Sequence, residues 1–206
     1  MNAHRTRTPY SVPTLVGVAC ILLIMAGPLI SACDSSGSNG NGSSDALIPL
    51  EEGNQWTASV TPTSFAETAN AEVVSSSEVS LTLSGDGNSM ETTLTVSQES
   101  NGLLLESLAN GGETDIILLK YPAEPGDSYQ HTDGDGTSYQ IEVSETSASV
   151  PAGDYSGCLR YEIRWADSGN LNSTVTVKPG MGPVRWSNGN DPDDERYTLT
   201  STNVDG

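Results

Sequence analysis

The chain has 206 residues, of which 35% are hydrophobic, 5% aromatic and 17% charged, and its formal net charge is −19 at pH 7. Such a charge excludes nucleic acid and anionic bilayer surfaces as electrostatic partners, because both are repelled before contact. With 27 acidic residues against 8 lysines and arginines, self-repulsion is easiest to bear in screening salt, so the composition suits either an acidic soluble domain or a salt-rich setting.

The chain opens with a short basic stretch (His4, Arg5, Arg7) and an apolar run from Leu15 to Ile30, broken only by Gly17, Gly27 and Pro28. That run is shorter than the roughly 18 apolar residues a membrane span requires. Pro28 disturbs its helix just ahead of Leu29-Ile30-Ser31-Ala32-Cys33, where a signal peptide loosens before cleavage. Arg5 and Arg7 are separated by Thr6, which breaks the twin-arginine pattern and points to general secretion. This order of features resembles a bacterial lipoprotein signal. The resemblance implies that residues 1–32 are removed and that Cys33 becomes a lipidated first residue, carrying diacylglyceryl and palmitate-type acyl chains. An ordinary signal peptide cut at the same place without lipid, or an uncleaved anchor, are the alternative readings. Two or more acyl chains, at about 0.8 kcal/mol per buried CH₂, hold a protein at a membrane durably. Asp34 resembles the inner-membrane retention residue of enteric bacteria; outside that group inner and outer membrane stay open.

From Asp34 to Asp45 the chain reads DSSGSNGNGSSD, which has nothing to bury and acts as a flexible linker, with a root-mean-square reach of about 19 Å. Loss of Arg5 and Arg7 with the leader takes the formal charge from −19 to −21. Cys20 leaves with the leader and Cys33 is committed to lipid, so Cys158 stands alone and the domain forms no internal disulfide. Residues 46–206 suffice for a single domain.

Within that domain the pattern is alternation and turns. Val79, Leu81 and Leu83 fall on one face of 78–84; Tyr139, Ile141 and Val143 do so in 138–144; and Leu159, Tyr161, Ile163 and Trp165 alternate with Arg160, Glu162 and Arg164. Val175/Val177, Val184/Trp186 and Tyr197/Leu199 keep the same two-residue period. Ile116–Leu119 reads as a strand buried on both faces, and 103–109 as a strand or a short helix. Gly85-Asp86-Gly87-Asn88, Asn101-Gly102, Asn110-Gly111-Gly112, Asp133-Gly134-Asp135-Gly136 and Ser168-Gly169-Asn170 are turn signals between them. The prediction is an all-β domain (or β-rich α+β), a single antiparallel meander of nine to eleven strands forming a sandwich, barrel or half-barrel.

Four segments carry a further likeness. Gly53-Asn54-Gln55-Trp56 resembles the Gly-Asn-x-Trp opening of a family of uncharacterised bacterial envelope lipoproteins, and Gly126-Asp127-Ser128-Tyr129 after Tyr121-Pro122 resembles a second such opening. Val150-Pro151-Ala152-Gly153-Asp154-Tyr155 with Cys158 is similar to that family's Val-Pro-Ala-Gly-Thr-Phe segment and its following cysteine. Lys178-Pro179-Gly180-Met181-Gly182-Pro183-Val184 is similar to its Ala-Pro-Gly-Val-Gly-Leu-Val. The departures are Asp154 for Thr, Tyr155 for Phe and Met181 for Val. The resemblance implies an envelope location and no particular activity; a looser similarity is to half-barrel carriers of lipid or lipoprotein acyl chains. Read from the residues alone, the Pro/Gly segments are rigid strand-to-strand corners, and Trp56, Trp165 and Trp186 are core aromatics or, alternatively, the lining of a ligand pocket.

Catalytic signals are sparse. His131 is the one histidine after the leader, no Gly-x-Ser-x-Gly elbow is present, no His/Cys cluster has zinc spacing, and no phosphate-binding loop opens a helix. Asp133 and Asp135, and Asp191, Asp193 and Asp194, offer oxygen ligands suited to Ca²⁺, although the first group lacks the downstream glutamate of an EF-hand. By strand parity Cys158 shares a face with Arg160 and Arg164, which favours its thiolate, but its place beside a corner glycine fits a quiet, partly buried thiol better. Arg160, Arg164, Lys178 and Arg185 fall within 26 residues; on one face they make a basic patch for anionic ligands, or else they pair with neighbouring acids. The sequence therefore predicts a lipid-anchored envelope protein with a binding or structural role and no catalysis. Its partner is an envelope protein, a polymer or an apolar ligand. The alternatives are an acyl-chain carrier with a half-barrel cavity and, more remotely, a hydrolase using His131.

Overall fold

Side chains that alternate every second residue leave one face of each segment to be buried, and the chain answers that demand with strands alone. The computed structural model describes residues 46–61, 66–99, 102–108, 112–132, 136–188 and 195–205. Among them are twelve strands and no helix: β1 (Gln55–Val60), β2 (Thr68–Ser75), β3 (Glu78–Gly85), β4 (Asn88–Glu99), β5 (Gly102–Leu108), β6 (Gly112–Lys120), β7 (Ser128–Thr132), β8 (Ser138–Val150), β9 (Gly153–Trp165), β10 (Leu171–Lys178), β11 (Gly182–Asn188) and β12 (Glu195–Thr202). The count exceeds the predicted nine to eleven, and the ambiguous segment 103–109 is a strand over its described residues, to Leu108.

All twelve lie in one antiparallel sheet, ordered β6-β5-β4-β3-β2-β1-β12-β11-β10-β9-β8-β7. Two six-strand meanders, β1–β6 and β7–β12, are thus joined by the ladder between β1 and β12. The consecutive strands β6 and β7 share no ladder, so the sheet is not closed. Of the three predicted architectures, the single open sheet rules out the two-sheet sandwich and the closed barrel, and matches the half-barrel. Turn chemistry explains the hairpins: Asp86 and Gly87 both have positive φ, 49° and 75°, the geometry that a two-residue connection between twisted strands requires.

The inner face of the curled sheet is a continuous apolar core. Trp56, Ala58, Ala69, Ala71, Val73, Val79, Leu81, Leu94, Ile141, Tyr161, Val184 and Leu199 are each fully shielded from solvent. Trp56 stands opposite Ala71, and Ala58 opposite Ala69, so small residues on β2 leave room for the indole. Ahead of β1, Leu47 and Ile48 are also buried. Their segment is held by the Gly180 N–H on the Ala46 carbonyl (3.0 Å) and by Asn54 Nδ2 on the Pro49 carbonyl (2.9 Å).

The two motif openings build the same turn. Gly53 N–H donates to Val73 O (2.9 Å), Val73 N–H to Asn54 O (2.9 Å) and Asn54 N–H to Glu51 O (3.0 Å). In the second meander Gly126 donates to Val143 (2.8 Å), Val143 to Asp127 (2.8 Å) and Asp127 to Glu124 (3.0 Å). Gln55 then pairs with Glu72 as Ser128 pairs with Glu142. At the open joint between β6 and β7, tyrosine hydroxyls replace a strand. Lys120 N–H donates to Tyr129 Oη (3.0 Å), and Tyr161 Oη donates to the Lys120 carbonyl (2.9 Å).

Candidate functional site

The outer face of β9–β11 is where polar side chains gather. Thr176 pairs with Arg160 on one side and Arg185 on the other; one step along, Thr174 pairs with Glu162 and Ser187. Two rows, Arg160–Thr176–Arg185 and Glu162–Thr174–Ser187, therefore project from the same face. Such a face ordinarily meets water, yet Thr174, Thr176 and Ser187 are each only 6% exposed.

The cover is the far end of the β8–β9 hairpin. Its ladder shifts register between Thr146 and Ala148, a bulge that bends the strand. The hairpin end then crosses β10 to reach strands that are not its sheet neighbours. Arg185 Nη2 of β11 donates to the Ser149 carbonyl (2.8 Å) and Ala152 N–H to the Leu199 carbonyl of β12 (3.3 Å), while Lys178 Nζ of the adjacent β10 donates to the Ser156 carbonyl (3.0 Å). Beneath it remains a cavity of about 220 Å³, lined by Thr146, Ser147, Ala148, Arg160, Thr174, Thr176, Arg185 and Ser187. Among the described residues the lining holds two guanidinium groups, five hydroxyls and no carboxylate. Thr174 Oγ1 is buried there without a hydrogen-bond partner in the protein.

The predicted cation cluster is thus partly assembled and partly spent. Glu162 lies between Arg160 (2.8 Å) and Arg164 (2.7 Å), so Arg164 is held outside the cavity, next to the Gly169 carbonyl (3.4 Å). Arg160 keeps an edge on the cavity, and Arg185 holds the hairpin while lining it. A second cavity of about 390 Å³ lies between the hairpin tip and the end of β12, bounded by Pro151, Tyr155, Lys178, Met181, Thr200 and Val204 among others.

The three tryptophans are not brought together. Trp56 donates its indole N–H to the Met181 carbonyl (2.7 Å) and packs on Gly182. Gly182 has φ +116°, and a Cβ there would sit 2.7 Å from Trp56 Nε1. The Pro-Gly-Met-Gly-Pro corner is therefore a seat for the indole of the Gly-Asn-x-Trp opening. Trp186 is buried in β11. Trp165 departs from the core reading: it is 36% exposed at the end of β9, beside Tyr139 with ring centroids 5.1 Å apart. Among the described residues neither of the two cavities is lined by tryptophan or leucine.

Cys158 is fully buried, its Sγ 3.7 Å from the Tyr155 carbonyl. Burial pushes the thiol up, against a smaller downward pull from Lys178, so parity with Arg160 does not make it a reactive thiolate. Burial likewise raises the phenols of Tyr129, Tyr161 and Tyr197 far above their usual range. His131 stands opposite Tyr139 on β7. The predicted calcium ligands Asp133, Asp135, Asp191, Asp193 and Asp194, and the lipid acceptor Cys33, lie outside the described residues. Among the described residues no cluster of three metal-binding side chains occurs, and no helix is long and apolar enough to cross a membrane.

The hydroxyl-rich cavity was missed in sequence because β10 reads as plain alternation, with its threonines on the solvent side. The one available signal was two arginines placed to flank those threonines; the bulge that folds the hairpin over them has no local signature. Comparison with family models, characterised proteins and solved structures finds no match for this chain.

Proposed function

We propose that the chain is a lipid-anchored protein of the bacterial cell envelope whose β domain has a non-catalytic binding or structural role. The anchor rests on the sequence around Cys33. The observation that carries the binding role is the packing of the inner face. Trp56, Tyr161, Tyr197, Leu47, Ile48 and Leu81 fill the concavity with the protein's own side chains, where an acyl-chain carrier needs room for its cargo. What the domain offers to a partner is then its outer, polar face.

Intact and native mass spectrometry of the full chain, expressed in a bacterial host, tests this beside Cys33→Ala. The expected wild-type product lacks residues 1–32, carries a covalent diacylglyceryl mass and fractionates with membranes, and Cys33→Ala loses both properties. A wild-type chain cut at the same place without lipid overturns the anchor. A stoichiometric, non-covalent fatty acid or phospholipid overturns the filled interior and makes the protein a carrier.

A further inference from the structure

We propose that the cavity beneath the β8–β9 hairpin binds a small tetrahedral oxyanion, either inorganic phosphate or the head of a phosphomonoester. This goes beyond the anchored-binding reading and does not depend on Cys33.

Three observations converge. The first is chemical: Arg160 and Arg185 flank Thr176 across three adjacent strands, and among the described residues every polar side chain in the lining is a guanidinium or a hydroxyl. Guanidinium forks and hydroxyl donors match the oxygens of a phosphate, and charge-assisted bonds of this kind are about twice as strong as neutral ones. The second is an unmet need. Thr174 is 6% exposed and its hydroxyl has no partner in the protein, although most buried side-chain hydroxyls do find one. An oxyanion in the cavity accepts a hydrogen bond from that hydroxyl. The third is size: about 220 Å³ admits a phosphate with a short substituent but falls below the roughly 300 Å³ at which sites for drug-sized molecules begin.

Charge balance favours an anion locally. Glu162 is shared between Arg160 and Arg164, so the three side chains together are cationic. The chain as a whole carries −19, a field that opposes any arriving anion. Selection therefore takes place inside the cavity, by fixed donors, without help from long-range steering.

The test is an amide-resolved NMR titration of the full chain in non-phosphate detergent with sodium phosphate, sodium sulfate and, at matched ionic strength, sodium chloride. Saturable shifts at Thr174, Thr176, Arg185 and Ser187 with phosphate, absent with chloride, are expected. Thr174→Val removes the unpaired hydroxyl and breaks no bond within the protein; it weakens phosphate about fivefold, the equivalent of about 1 kcal/mol. Arg160→Gln weakens it about tenfold or more. Arg185→Gln also releases the hairpin from Ser149, so Thr174→Val and Arg160→Gln are the deciding variants. Glycerol 3-phosphate binding more tightly than phosphate supports the site with a lipid-type or metabolite monoester as source; equal affinity supports it with free phosphate as source. Shifts no larger than those of chloride, or variants that bind as the wild type does, overturn the proposal.

Discussion

The two meanders begin with the same turn and then diverge. Residues 46–120 contain no tyrosine and one basic residue, Lys120, whereas 121–206 contain six tyrosines and five basic residues. In the first meander the residue after the turn is Trp56, wholly buried and bonded to the corner between β10 and β11. Its counterpart in the second is Tyr129, half-buried, with its hydroxyl on the backbone of Lys120. One backbone pattern thus serves two ends: the first copy locks the core, and the second latches an open joint. The described lining of the polar cavity also belongs to the second meander. A shared hydrogen-bond frame therefore says little about what a half does; that is decided by the side chains hung on it.

Substitution at the equivalent positions is the strongest way to break this contrast. Trp56→Ala is expected to cost about 3–5 kcal/mol, as for other buried tryptophans, while Tyr129→Ala costs about 1–2 kcal/mol. Gly182→Ala, which drives a Cβ into the indole at a φ that side chains avoid, should approach the first value by disturbing the same contact from the other side. Urea unfolding measures all three. Similar losses at 56 and 129 would mean that both halves are anchored alike.

Alkaline titration probes the second half specifically, since Tyr129, Tyr161 and Tyr197 all belong to it. Their folded phenols resist ionisation because of burial, above the 10.0 of the free side chain. The neutral form is the one the fold favours. Their contribution is therefore complete below about pH 10 and is lost as pH rises through the unfolded value towards the folded one. Hydrogen exchange across pH 8–11 should show β7–β12 losing protection before β2–β4. Uniform loss across both halves would remove the distinction.

The smallest effect is the most local. Tyr129→Phe strips Lys120 N–H of its acceptor and should cost about 1 kcal/mol, with faster exchange at that amide and little change in β1–β4. An unchanged Lys120 amide would show that the joint is held by packing and not by the hydroxyl.

Much of this half-barrel is legible in the sequence, for identifiable reasons. Strong alternation such as Val79-Leu81-Leu83 or Leu159-Tyr161-Ile163 marks strands β3 and β9, and the glycine-rich stretches fall at the junctions of consecutive strands. β2 is hard to read in the sequence because two of its three inner-face residues are Ala69 and Ala71, whose small size is explained only by the tryptophan packed beside them. β1 and β7 are short and polar at the start. The site was half visible: Arg160 and Arg185 were flagged, but their convergence depends on register between three strands. Thr174 became significant only once the hairpin covered it.

The pairing of β1 with β12 has a consequence for how the protein is made. Trp56 and Thr202 are register partners, so the first strand to be synthesised waits for the last. Until then β1 presents an unpaired edge, although the β10–β11 corner that accepts the Trp56 N–H has already been synthesised. Contacts between residues so distant in sequence form slowly, and an exposed edge in the interval invites mispairing. Biogenesis thus has a late step built into its geometry: a chain stalled before β12 holds eleven strands and lacks the ladder that joins its two halves.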